Sequence, residues 1–109
     1  MRTLKFIVND NIITEDPNCD FTGLFPNSEK KIRAEFAFSH EWDNSIKVVA
    51  FWSIMGTEYP PQLLDEENGC MIPEEALSKP AFKLEILGAN LKQNIKTKPL
   101  TIYQKGGKQ

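Results

Sequence analysis

The sequence predicts an all-β domain: a single antiparallel sandwich of about seven to eight short strands, with at most one helical turn near Pro73–Leu77. Three observations lead there. Apolar residues recur with a period of two far more often than with the helical period. Turn signals built from Gly, Pro, Asn and Asp fall at intervals of roughly 8–12 residues, the spacing of a sandwich or small barrel. No segment is long enough to supply the crossover helix of a βαβ unit.

The elements follow in order. Thr3 to Val8 alternates, with Leu4, Phe6 and Val8 on one side. Asn9-Asp10-Asn11 tolerates positive φ and returns the chain into Ile12 and Ile13 as a small hairpin. Thr14 to Lys31 is rich in turn residues (Asp16-Pro17-Asn18, Pro26-Asn27-Ser28) and reads as one long connection pinned by Phe21, Leu24 and Phe25. Ile32 to Phe38 is the clearest strand: Ile32, Ala34, Phe36 and Phe38 face inward, Arg33, Glu35 and Ala37 outward. Ser39 to Asn44 makes a polar turn around one large anchor, Trp42. Ile46 to Ser53 is the next strand, and Met55-Gly56 turns the chain back through Glu58 to Leu64.

Asp65-Glu66-Glu67-Asn68-Gly69 is a charged turn ending in a Gly suited to positive φ. Cys70 to Ile72 resumes extended chain. Pro73-Glu74-Glu75-Ala76-Leu77 starts a helix, with Pro at its first position and two acids beside the positive end of its dipole. Pro80 stops it after a single turn. Ala81 to Leu87 alternates with Phe82, Leu84 and Ile86 inward and Lys83 and Glu85 outward, and Asn94–Thr97 and Leu100–Tyr103 supply the last strands. Residues 1–104 are therefore expected to form the domain and Lys105–Gln109 a flexible polar tail. The expected core is Phe6, Ile32, Phe36, Phe38, Phe51, Phe82, Leu84 and Ile86.

Composition narrows the function. With 109 residues there is room for one core of ordinary size. A 40% hydrophobic content with seven Phe and two Trp belongs to a folded chain rather than a disordered one. A net charge of −2 and a pI near 5.4 provide no basic field for nucleic acid and no polybasic patch for a membrane surface. No stretch approaches the ~18 apolar residues of a membrane span, and the apolar N-terminal stretch is too short for a signal-peptide core. The chain is expected to be made and folded in a cytoplasm, without membrane insertion. Cys19 and Cys70 have no metal-ligand spacing and read as two buried thiols.

Each catalytic or metal-binding pattern has a simpler explanation. His40 in Ser39-His40-Glu41 has neighbours that an extended chain points to opposite sides, so it reads as a surface turn residue. Asp16-x-Asn18-x-Asp20 copies the opening of a calcium loop, but Phe21 stands where the loop needs Gly and Asn27 where it needs a bidentate Glu. Turn capping by Asx side chains accounts for the same residues. Gly106-Gly107-Lys108 lacks the strand–loop–helix setting of a phosphate loop. Glu66, Glu67, Glu74 and Glu75 belong to a charged turn and a helix start rather than to two sides of a cleft. No catalytic residue, cofactor or metal is assigned.

One segment stands out. In Ile46-Lys47-Val48-Val49-Ala50-Phe51-Trp52, Val49 and Phe51 share one face while Ile46, Val48, Ala50 and Trp52 share the other, so the strand is apolar on both. Only one face of a sandwich strand reaches the core, and the other must be covered. Cover from within would come from the Thr14–Lys31 connection with Phe21 and Phe25. Cover from outside would be a subunit or partner contact on Ile46, Val48, Ala50 and Trp52.

Several segments, taken in order, carry a resemblance. They are Leu4-Lys5-Phe6-Ile7-Val8, Asp16-Pro17-Asn18-Cys19-Asp20-Phe21-x-Gly23, Phe36-x-Phe38-Ser39-x-Glu41-Trp42 and Lys47-Val48-Val49-Ala50-Phe51. Ile72-Pro73-Glu74-Glu75-Ala76-Leu77, Phe82-x-Leu84-x-Ile86-x-Gly88 and Gln104-x-Gly106-Gly107 complete the set. Together they resemble small structural proteins of tailed bacteriophages and prophages of Gram-positive, clostridia-like bacteria. They are also similar to the immunoglobulin-like N-terminal module of phage baseplate upper and fibre proteins. The resemblance implies an immunoglobulin-like sandwich in a non-enzymatic structural or assembly protein: a head decoration, a fibre base, or a tail or baseplate accessory. Its partners would be phage structural proteins or further copies of the chain, and it would be incorporated in the virion. Baseplate upper proteins continue beyond this module, so their host-adhesion role does not transfer with it. The alternative is a small phage-encoded inhibitor of a bacterial defence protein.

If Ile32–Phe38 is a core strand, Phe36→Ala should lower stability by about 3–5 kcal/mol. A melting temperature equal to that of the wild type would refute the strand assignment.

Overall fold

The computed structural model describes residues 2–24 and 31–103. Among them nine strands form two sheets: β1 (Arg2–Asn9), β2 (Ile12–Glu15), β3 (Ile32–Phe38), β4 (Ile46–Ser53), β5 (Gln62–Leu63), β6 (Gly69–Met71), β7 (Ala81–Ala89), β8 (Asn94–Lys96) and β9 (Leu100–Tyr103). Sheet 1 has the order β2-β1-β3-β6 and sheet 2 the order β5-β4-β7, with β8 and β9 both paired to β7. The all-β sandwich expected from the sequence is the fold. The proposed tail, Lys105–Gln109, lies outside the described residues.

Period-two alternation builds both inner faces. Leu4, Phe6 and Val8 of β1 are buried, as are Ile32, Ala34 and Phe36 of β3. In register Leu4 faces Ala34 and Phe6 faces Phe36, and the last two rings stack at 5.1 Å. In sheet 2, Val49 lies beside Ile86 and Phe51 beside Leu84. Seven of the eight expected core residues are buried; Phe38, at the end of β3, is partly buried against the core and meets the Trp42 ring at a tilt, 5.2 Å between centroids.

Pairing is antiparallel throughout except that β1 and β3 run parallel, from Arg2 beside Ile32 to Val8 beside Phe38. A parallel pair needs a long crossover. Here β2 and the connection after it serve that purpose, with no helix involved. From β3 onward the strand order is that of an immunoglobulin sandwich, β3 and β6 in one layer against β5-β4-β7-β8/β9 in the other. The N-terminal strand β1, parallel to β3, departs from it.

Several turns take their form from a single residue. Asp10 closes the β1–β2 hairpin at φ 57°. Gly56 turns the β4–β5 hairpin at φ 95°. In the 65–69 turn the positive φ falls on Asn68 (59°) rather than on Gly69. Gly69 serves a different purpose: the Arg33 guanidinium lies where its Cβ would be, so a side chain there would displace it. Pro73 caps the single helical turn α1 (Glu74–Leu77) from just outside rather than occupying its first position, and the turn buries Ala76 and Leu77. Between β8 and β9, the buried Thr97 hydroxyl accepts the Ile86 N–H at 2.9 Å, standing in for a ladder bond where the strand breaks.

Trp42 ties the two sheets at one end. It sits in a short 3-10 turn (His40–Trp42) and is fully buried. Its indole N–H donates to the Asp10 carbonyl at 2.7 Å, reaching the β1–β2 turn of sheet 1. The other side of the ring lies on Gly88 of β7 in sheet 2, where an added Cβ would stand 2.8 Å from the ring. Gly88→Ala should therefore destabilise the fold by about 1–3 kcal/mol, the usual penalty for overpacking a dense core. Equilibrium denaturation would show it, and an unchanged midpoint would mean the ring can retreat.

Candidate functional site

The candidate site is the outer face of sheet 2. Alternation that sends Val49 and Phe51 inward sends Ile46, Val48, Ala50 and Trp52 outward, and all four lie on that face. Ile46 is 69% exposed, and Val48, Ala50 and Trp52 are half-buried. Register adds two residues that the sequence reading did not select. Leu63 of β5 lies beside Val48 on one side and Leu87 of β7 on the other. They are 65% and 40% exposed. The signal for Leu87 was present in the sequence, since it falls outward in the alternation that places Lys83 and Glu85 outward. Leu63 could be placed only by knowing which residue of β4 it pairs with.

The face divides into two halves. Ile46, Val48, Leu87, Ala89 and Ile95 line a shallow groove of about 390 Å³. Ala50, Trp52, Tyr59, Pro61 and Glu85 line a second one of about 410 Å³. The 58–61 segment borders the second half, pinned by a Trp52–Glu58 bridge and by the Tyr59 N–H donating to the Phe51 carbonyl at 2.9 Å. Ile46 and Leu63 are bordered by the 64–68 turn, and Ile46 and Leu87 by Asn94, Ile95 and Lys96 of β8. Internal cover from the 14–31 connection does not come from Phe21, which packs edge-on against Phe6 in the core at 5.4 Å. Phe25 lies outside the described residues.

An ionic clasp on Asp65 lies two residues beyond Leu63. Arg33 donates to Asp65 through two nitrogens, at 2.8 and 3.1 Å, and to Glu35 at 2.8 Å. Asp65 also accepts the N–H groups of Glu67 and Gly69 at 2.9 and 3.0 Å. The Arg33 hydrogen bond, then those backbone donors, hold the Asp65 carboxyl well below the usual carboxylate range. The bidentate geometry is what makes this pair stronger than an ordinary surface contact. Cys70, next to Gly69, is pushed up to about 12 by burial and is an inert thiol at neutral pH.

The chemistry-bearing residues of the sequence do not converge. The His40 side chain is 86% exposed, with its Nδ1 3.9 Å from Glu41. Glu66 and Glu67 lie in the β5–β6 turn, and Glu74 and Glu75 in α1. Asp16 accepts the Asn18 N–H, and Asp20 accepts both the N–H and the hydroxyl of Thr22, as Asx turns do. The Thr22 bonds hold the Asp20 carboxyl below its ordinary range. Among the described residues no group of three or more His, Cys, Asp or Glu could hold a metal ion, and no helix is long and apolar enough to cross a membrane. Cys19 and Cys70 are both free thiols; Cys70 is buried and Cys19 half-buried.

No family model, curated protein or solved structure matches the chain.

The clasp gives stability a definite pH dependence. A carboxylate whose folded pKa is depressed contributes stability above its unfolded value, about 4, and loses it as pH falls toward the folded value. Asp65→Asn should therefore melt below the wild type at pH 7. The gap should close as both are acidified from about pH 4 downward. Equal melting temperatures at pH 7 would mean that the clasp adds nothing to stability.

Proposed function

We propose that this protein is a non-enzymatic binding module that holds another protein against the outer face of sheet 2. One observation supports the reading above all: Ile46, Leu63 and Leu87 are exposed around Val48 on a single sheet face. The solvent face of a sandwich strand is ordinarily polar. A cluster of large apolar side chains there is what a partner would cover, and apolar surface of this kind drives association. Trp52 adds an aromatic anchor, a residue type enriched at the energetic centres of interfaces.

The resemblance of the strand and turn segments to small proteins of tailed phages supplies the setting. In this reading the protein is a structural or assembly part of a phage particle, a head decoration, fibre base or tail accessory, and its partner is a virion protein.

Mass spectrometry of purified particles, made with wild-type protein or with the Ile46→Lys and Leu87→Lys variants, tests both parts. The expected result is wild-type protein at a fixed copy number per particle and loss of both variants, each of which keeps the wild-type near-UV circular dichroism. Absence of the wild type from particles would remove the virion setting. Retention of both folded variants would remove the face from the contact.

A further inference from the structure

We infer that Asn68 is a latent deamidation site, and that the Arg33–Asp65 clasp keeps it unreacted while the β5–β6 turn is closed. Sequence singles out the position. Asn68 is the chain's one asparagine followed by glycine. A residue without a Cβ leaves its backbone nitrogen open to attack on the side chain before it. In the fold Asn68 is half-buried at φ 59°, a conformation that Asn tolerates in turns.

The chemistry needs only water. The Gly69 amide nitrogen loses its proton to water or hydroxide and attacks Cγ of Asn68. The new N–C bond closes a succinimide ring, the bond from Cγ to the side-chain nitrogen breaks, and that nitrogen leaves as ammonia after taking up a proton. Water then adds to one of the two ring carbonyls and opens the ring. One opening leaves Asp at position 68. The other leaves isoaspartate, whose main chain runs through the side-chain carbon.

The closed turn opposes the first step. The Gly69 N–H donates to Asp65 Oδ1 at 3.0 Å, and Gly69 is buried. A carboxylate beside that nitrogen disfavours the negative charge it must take on. The carbonyl of the same peptide, that of Asn68, accepts the Phe36 N–H at 3.0 Å. The Asn68–Gly69 peptide is thus held at both polar ends and cannot turn its nitrogen toward Cγ without breaking these bonds. Arg33 in turn fixes Asp65 through two nitrogens, at 2.8 and 3.1 Å.

Conversion would act back on the clasp. Either product adds a carboxylate beside Asp65, Glu66 and Glu67, where Arg33 and Lys47 are the basic side chains at hand. Isoaspartate also lengthens the main chain inside a turn that the Asn68 N–H closes by donating to the Asp65 carbonyl at 3.0 Å. Each opening of the turn therefore exposes it to an irreversible step that disfavours closing again.

Peptide mapping by mass spectrometry tests this on the full chain, incubated at neutral pH in buffer and in urea, with amide hydrogen exchange at Gly69 read in parallel. Both reactions begin with loss of the same proton, so folding should slow both. Conversion at Asn68 should be at least about tenfold slower in the folded protein than in urea. Asp65→Ala, which removes the acceptor, should bring the folded protein most of the way to the urea rate. Arg33→Gln, which leaves the carboxylate but no longer fixes it, should fall between. Near-UV circular dichroism identifies the folded variants, and if Asp65→Ala does not fold, Arg33→Gln carries the test. No conversion at Asn68 in urea overturns the site. Equal rates in buffer and urea, or rapid exchange of the Gly69 amide in the folded wild type, overturn the protection. A folded clasp variant that converts no faster than wild type overturns the part assigned to the clasp.

Discussion

A single indole holds the two layers of this sandwich in register at one end. Trp42 can do so because the polar turn after β3 is short and tight: the Trp42 N–H donates to the Ser39 carbonyl, and the Asp43 N–H to that of His40. That geometry drives the ring inward. Its N–H then needs an acceptor in a region closed to water, and finds the Asp10 carbonyl, presented by a turn residue at positive φ. The Ser39 hydroxyl accepts the Asp10 N–H at 2.9 Å, so both backbone groups of that turn residue are satisfied from the β3 side. Gly88 completes the arrangement by having no side chain. The hairpin of sheet 1, the turn after β3 and the central strand of sheet 2 thus depend on one contact.

This constraint bears on the candidate site. With β7 fixed against Trp42 at Gly88, the alternation of β7 is fixed too, and Leu87 must point outward. The β4–β7 ladder, continuous from Ile46 beside Ala89 to Ser53 beside Phe82, passes the same phase to β4. A slip by one residue would turn Val49 and Phe51 out of the core. The apolar outer face is therefore the other side of a strand pair whose inner side is committed to the core.

Much of this was legible in the sequence, for identifiable reasons. Alternation in Thr3–Val8, Ile32–Phe38 and Ala81–Leu87 gave strands and core together, because period two encodes both. Trp42 was visible as the one large apolar residue in a polar turn. The parallel β1–β3 pairing was not visible. Alternation marks which residues share a face but does not tell which strands are neighbours, and the crossover here has no helix to announce it. The role of Gly69 was misread for a related reason. A Gly at the end of a charged turn suggests positive φ, whereas this one makes room for a guanidinium from a strand far away in sequence. The outward strip on β4 was found from its own residues. Its extension to Leu63 and Leu87 required the registers of three strands at once.

The edges of the sheets bear on which surfaces of the molecule are left open. Unpaired strand edges are the usual route to association between β proteins. On one side of this sandwich, Asp65 N–H donates to the Gly69 carbonyl and the Arg33 clasp ties the intervening turn to β3, so β5 and β6 are bound across the gap between the sheets. On the other side, the Lys98 N–H donates to the Asn11 carbonyl at 2.8 Å, joining the β8–β9 break to the hairpin of sheet 1. β5 and β8 are also only two and three residues long, too short to template a long ladder. With these edges short and cross-linked in this way, the apolar cluster of Ile46, Leu63 and Leu87 lies on a face rather than along an edge. A contact proposed for such a face would rely on shape and apolar area rather than on backbone hydrogen bonds, and a face, once covered, leaves no new edge to extend.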